Sequence, residues 1–168
     1  MAGEKWTFGI DQILSGPHGV DGALGANLTE HGETLKGSAT LETTEETIKW
    51  IETEEKGKRK AINANDSETT LVFEVANPSL ETQAYYCGGA VSLDGKSYSP
   101  PKNKDMIYKS FNVITKEGFN IEIPFGGVSA TPIGGQLGTE NVLTLKVKVT
   151  AQVPADPETN FITYREKV

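Results

Sequence analysis

With 168 residues, 36% hydrophobic and 23% charged, the chain is long enough to bury a core and short enough for one domain, expected over 1–168, which excludes wholesale disorder. No apolar run approaches the roughly 20 residues of a spanning helix, so no membrane insertion is expected, and MAGEKWTFGI lacks the basic start and apolar stretch of a secretion signal. A formal charge of −7 argues against a tight reader of nucleic acid, whose affinity comes from cations on phosphates, and the single cysteine, Cys87, excludes an internal disulfide and a cysteine-rich metal site.

Lys5 to Leu14 reads as a first strand with Trp6, Phe8 and Ile10 on one face, or equally as an arm. The stretch 15–32 follows as a flexible glycine-rich loop, with Gly16, Gly19, Gly22 and Gly25 at every third residue. That is too short a run for a collagen helix, and its order would have to come from a neighbouring molecule. Glu33 to Thr43 alternates Leu35, Gly37, Ala39 and Leu41 against Lys36, Ser38, Thr40 and Glu42, the pattern of a strand. Thr47 to Glu54 is a second strand of uncertain register, because Ile48, Trp50 and Ile51 break the alternation. Around it Glu42, Glu45, Glu46, Glu52, Glu54 and Glu55 precede Lys56, Lys58, Arg59 and Lys60. Segregated blocks of this kind mark a solvated hairpin end, and opposite patches also steer identical copies head to tail.

Glu68 to Gly89 organises the rest. Thr69, Leu71, Phe73 and Val75 form the apolar row of a strand that runs into a short helix, with Asn77 as the expected cap, Pro78 in the first turn and Gly88 as the stop. Leu80, Ala84 and Cys87 would face the sheet. Residues 92–105, rich in turn formers and holding Pro100 and Pro101, read as a surface loop. Met106 to Thr115 and Phe119 to Phe125 form a hairpin about the turn Lys116, Glu117 and Gly118, with Phe119, Ile121, Ile123 and Phe125 on one side and Asn120 and Glu122 on the other. Gly126-Gly127 and Gly134-Gly135 read as turns before the longest strand, Val142 to Val153, whose row is Leu143, Leu145, Val147, Val149, Ala151 and Val153. The residues 154–168 form an extended C-terminal tail, ending in an edge strand at most. The fold class is therefore mainly β: two packed antiparallel sheets, sandwich- or barrel-like, with one short flanking α-helix and long loops.

Chemistry finds little footing in these residues. Ser15, His18 and Asp21 spell a triad by letters, without a nucleophile elbow or a rigid element beneath them. His18 and His31 lack a metal-ligand spacing, and the paired glycines lack the spacing of a phosphate loop. Glu52, Glu54 and Glu55 read as solvated rather than as paired acids. No catalytic, cofactor-binding or metal residue is assigned, and no enzyme is expected. The triplets Asn27-Leu28-Thr29 and Asn65-Asp66-Ser67 carry little weight as glycosylation acceptors without a secretory route.

Three stretches, ATLETTEETIKWIETEE, ETTLVFEVANPSLETQAYYCGG and GGVSATPIGGQLGTENVLTLKVKVT, resemble phage tail tube (major tail) proteins, and together they cover most of the span 38–150. Tube proteins of type VI secretion systems are similar in fold. The resemblance implies hexameric rings that stack into a tube, a conduit through which double-stranded DNA and the tape measure protein pass. It also implies tail terminator and initiator proteins as further partners, and a place in the virion tail after synthesis in the bacterial host cytoplasm. Acidic excess would suit a lumen that repels phosphate; Thr40 and Glu42, or Asn120 and Glu122, are the polar rows that would face it. The competing reading is a monomeric β-sandwich module binding a glycan or peptide, which would gather Tyr98, Tyr108 and Tyr164 on one concave face.

Overall fold

The computed structural model describes residues 3–65 and 67–167; Asp66, in the second glycosylation triplet, and residues 1, 2 and 168 at the ends of the expected domain lie outside them. In chain order the strands are β1 Phe8–Gly16, β2 Thr29–Glu30, β3 Thr40–Thr43, β4 Thr47–Thr53, β5 Gly57–Asn65 and β6 Thr69–Val75. Helix α1, Leu80–Cys87, follows, and then β7 Ala90–Val91, β8 Tyr98–Ser99, β9 Ile107–Glu117, β10 Phe119–Gly134, β11 Thr144–Ala151 and β12 Thr163–Glu166. The class is mainly β with one short helix, as its alternating rows predict.

The expected pair of sheets is a single eight-stranded antiparallel sheet, in the order β2-β1-β9-β10-β11-β6-β3, with β12 added on β10. It curls on itself. Phe73 of β6 and Phe111 of β9 are three strand spacings apart, about 14 Å in a flat sheet, yet their rings lie 6.4 Å apart edge to face. The two ends of the sheet therefore face each other across one core, which includes Leu71, Phe73, Val75, Phe111, Ile123, Leu145, Val147 and Val149.

Strand β10 makes the curl possible. Its first part pairs with β9 and β12, its second with β9 and β11, and its register on β9 shifts between Ile123 and Gly126. The shift exchanges the faces, so that Ile123 and Val128 both point into the core. Phe125, placed by alternation beside Ile123, instead stacks outside on Tyr108 at 4.6 Å. Gly126-Gly127 is thus the bend of a strand rather than a turn between strands. A Cβ on Gly126 would lie 2.4 Å from Val149 Cγ1, so only glycine lets β10 cross there.

Other expectations shift for similarly local reasons. In β1 a register shift between Ile10 and Gln12 carries the buried row from Ile10 to Ile13 and Ser15 and leaves Trp6 and Phe8 exposed. The strand expected over 33–43 breaks into a bridge at Thr34 and the short β3, with the excursion between them held by Ser38, whose hydroxyl donates to the Leu35 carbonyl at 2.6 Å and accepts the Glu74 N–H at 3.1 Å. Helix α1 is capped by Ser79, whose Oγ accepts the Thr82 N–H at 3.0 Å, while Asn77 accepts the Glu33 N–H at 2.7 Å. The helix buries Thr82, Gln83, Tyr86 and Cys87; of the expected row Cys87 is buried, whereas Leu80 and Ala84 are only half-buried. Gly118 sits at φ +97 between β9 and β10, the left-handed position expected of it. Strand β11 is shorter than expected, with Val142 and Val153 exposed beyond its ends.

The three segments read as loops or tail carry more structure than turn formers imply. Within 15–32 a short 3-10 turn spans Val20–Gly22, the Gly25 N–H donates to Ser110 Oγ at 3.0 Å, and the Asp21 carbonyl accepts the Asp156 N–H at 2.9 Å. These partners lie within the chain itself. Within 92–105, β8 pairs with β7, and the Tyr98 hydroxyl donates to the Gly88 carbonyl at 2.7 Å. The tail 154–168 ends in β12 as an edge strand on Phe119 to Glu122.

Candidate assembly surfaces

The ribbon of β4 and β5 stands apart as its own two-stranded sheet. Ile48 and Trp50 lie opposite Asn63 and Ala61 on one face, and Lys49 and Ile51 lie opposite Ile62 and Lys60 on the other. Apolar residues therefore occupy both faces, which is why the sequence fails to alternate. Every residue of β4 is exposed, with Ile48 at 63% and Trp50 at 47%. The core offers no cover here; Lys58 Nζ lies over the Trp50 ring, 5.8 Å from its centroid. A lone two-stranded ribbon is marginal in water, and four large apolar side chains in solvent add a patch that association would remove.

A second surface lies where the curled sheet fails to close. Strand β2 pairs with β1 at Leu14 and Ser15, so among the described residues the edge from Phe8 to Ile13 carries no strand on that side. Strand β3 ends the sheet at its other border. Between them opens a cleft of about 980 Å³, floored by Ile10, Leu35, Leu41, Leu71, Val113 and Ile121. Asp11, Glu30 and Glu33 stand around it with Lys36 and Lys116.

The two polar rows named for a lumen fare differently. Glu122 is buried beneath β12, where Arg165 holds its carboxylate through Nε at 3.0 Å and Nη2 at 3.3 Å, and Asn120 accepts the Thr115 N–H at 3.2 Å. Thr40 and Glu42 are exposed on the outer face. Register aligns them with Thr70 and Val72 of β6, and across that strand Glu74 and Lys146 pair at 3.7 Å.

The triad letters do not converge. Ser15 Oγ is buried against the Tyr86 hydroxyl at 3.1 Å, while His18 is exposed, its ring edge-on to Phe125. A group around Tyr85 joins residues far apart in the chain. His31 stacks on that ring at 3.8 Å, and Lys109 Nζ lies 3.8 Å from the same ring centroid. Both cannot occupy one face at that distance, so Tyr85 is clamped between imidazole and ammonium. Burial holds the His31 pKa below its ordinary value, with the Lys109 charge adding to the effect, and burial likewise lowers that of Lys109. The Tyr85 hydroxyl is shielded and has no hydrogen-bond partner among the described residues, Ser15 Oγ being taken by Tyr86. Burial raises the pKa of both tyrosines. The arrangement ties the turn after β2 to the helix. No signal in the sequence links residues this far apart.

The tyrosines of the competing reading are dispersed. Tyr98 turns into the β7–β8 corner, Tyr108 lies opposite Gly127, and Tyr164 lies opposite Ile121. The last two are six residues apart along β10, about 20 Å. Among the described residues no group of three His, Cys, Asp or Glu could hold a metal ion, and no helix is long and apolar enough to cross a membrane. Comparison with models of known protein families and with curated proteins returns no match.

Proposed function

We propose that this chain is a structural subunit that self-assembles into rings, which stack into the tube of a phage tail or a phage-derived injection machine. The observation that carries the reading is the β4–β5 ribbon, whose Ile48, Trp50, Ile51 and Ile62 the chain itself leaves in solvent. A lone ribbon with apolar residues on both faces is built to be covered, and identical copies are the simplest cover. The uncovered edge of β1 supports the same reading, since exposed edges are liabilities that assembly removes. Heterologous contacts of this kind close into a ring or continue as a filament, and rings of about six copies are expected here.

In this reading the conduit passes double-stranded DNA and the tape measure protein, and terminator and initiator proteins meet its ends. The exposed row of Thr40 and Glu42 is the favoured lumen candidate, because Glu122 is buried and held by Arg165 of the tail strand, while half-buried Asn120 accepts the Thr115 N–H. Electron microscopy and light scattering of concentrated protein, with and without a tail initiator, test the reading. Rings or tubes are expected; monomers under every condition would end it and leave the monomeric glycan- or peptide-binding module, which would use the cleft beside β1.

A further inference from the structure

The ribbon and the cleft have complementary chemistry. Residues 47–63 hold five lysines and arginines against three glutamates, a net +2, so the rest of the chain carries −9. The ribbon is thus a cationic, apolar appendage on an anionic body. The cleft is an apolar slot with Asp11, Glu30 and Glu33 against Lys36 and Lys116 beside it, a net −1, bounded by a strand edge whose backbone groups face no partner strand among the described residues. Among the described residues β4 pairs only with β5, so the outer edge of β4 carries no further strand. An incoming ribbon would therefore meet apolar floor, opposite charge and open backbone donors and acceptors together.

The ribbon does not fill the cleft of its own copy. It departs from the end of β3, where the Thr44 N–H donates to the Glu68 carbonyl at 2.9 Å, and from there every residue of β4 stays exposed. Each copy consequently offers one ribbon and one vacant cleft. We propose that the β4–β5 ribbon of one copy seats in the β1–β3 cleft of the next. Ile48 and Trp50 turn toward its apolar floor, and the basic stretch from Lys56 to Lys60 meets Asp11, Glu30 and Glu33. The negative charge of the body disfavours a nucleic acid or an anionic membrane as the occupant and favours a second copy. The inference rests on the self-assembly part of the reading above and specifies the contact by which it occurs.

Two full-length variants separate the halves of the contact. Ile48→Glu combined with Trp50→Glu, both on the face proposed to seat, disables the ribbon and keeps the cleft; Leu35→Arg blocks the cleft and keeps the ribbon. Lys36→Trp, at an exposed position beside the cleft, replaces Leu35→Arg if that variant melts early. In sedimentation, each variant alone should associate at least about thirtyfold more weakly than wild type, the effect of losing a central aromatic anchor. An equimolar mixture should form a one-to-one dimer and stop there, because only one intact ribbon and one intact cleft remain. If wild type assembles while the mixture stays monomeric, or if either variant assembles as wild type does, the seating is wrong and self-assembly stands. If wild type stays monomeric at every concentration, both fall.

Discussion

The β9–β10 hairpin and the β4–β5 ribbon are built from the same motif and end in opposite places. In the first, the side chains of Phe111 and Ile123 reach 0% exposure; in the second, Ile48, Trp50, Ile51 and Ile62 remain in solvent. The hairpin puts its apolar residues on one face per register segment and lets a shift exchange the faces where the sheet bends. The ribbon carries them on both faces at once, so no single surface of its own chain could cover it. The comparison teaches that apolar content alone does not place a hairpin in a core. What matters is whether one face collects it.

The contrast can be broken first at the body. Phe111→Ala should remove about 3–5 kcal/mol of stability, through lost burial and the cavity left between Phe73 and Tyr86, measured by denaturant unfolding. A smaller loss of body stability would mean that the curled halves collapse onto the gap. Gly126→Ala should cost about 1–3 kcal/mol, because the new methyl overlaps Val149 where β10 bends. Ser79→Ala should cost about 1 kcal/mol by freeing the Thr82 N–H at the helix start.

A gentler test uses pH. The folded pKa of His31 lies below its unfolded value, so the unfolded chain binds the proton first and stability falls as pH drops below about 6.5. His31→Gln should flatten that limb of the thermal melting curve. Lys109→Met should raise the His31 pKa, seen as a shifted imidazole NMR titration, because a cation leaves its surroundings. The smallest effect on the single copy is expected at the ribbon: Trp50→Ser in dilute protein should change stability by less than about 0.5 kcal/mol, since the residue packs on no core. A large loss there would show that the ribbon supports the body, and the contrast with β9–β10 would disappear.

Several elements are legible without coordinates. Thr69, Leu71, Phe73 and Val75 are all buried as their alternation demands, Gly88 at φ +76 ends the helix, and Gly118 turns the hairpin. The candidate surfaces are only half legible. The broken alternation of Ile48, Trp50 and Ile51 marks the ribbon, but β5 is hidden by its charges, and the cleft joins residues from β1, β3, β6, β9 and β10 that no local pattern connects. The Tyr85 group is invisible for the same reason, and Ser79 takes the cap from Asn77 because Glu33, far away in the chain, claims the asparagine.

Residue spacing by itself determines which side chains share a strand face and where glycine must turn the chain, since both follow from local backbone geometry. Only the tertiary structure decides that one sheet curls where two were expected, because a one-residue register shift before Gly126 depends on Val149 lying across from it. It also decides that the apolar ribbon finds no cover at home. Burial is a property of what surrounds a residue, and the chain spends its core on the strands that present one clean face.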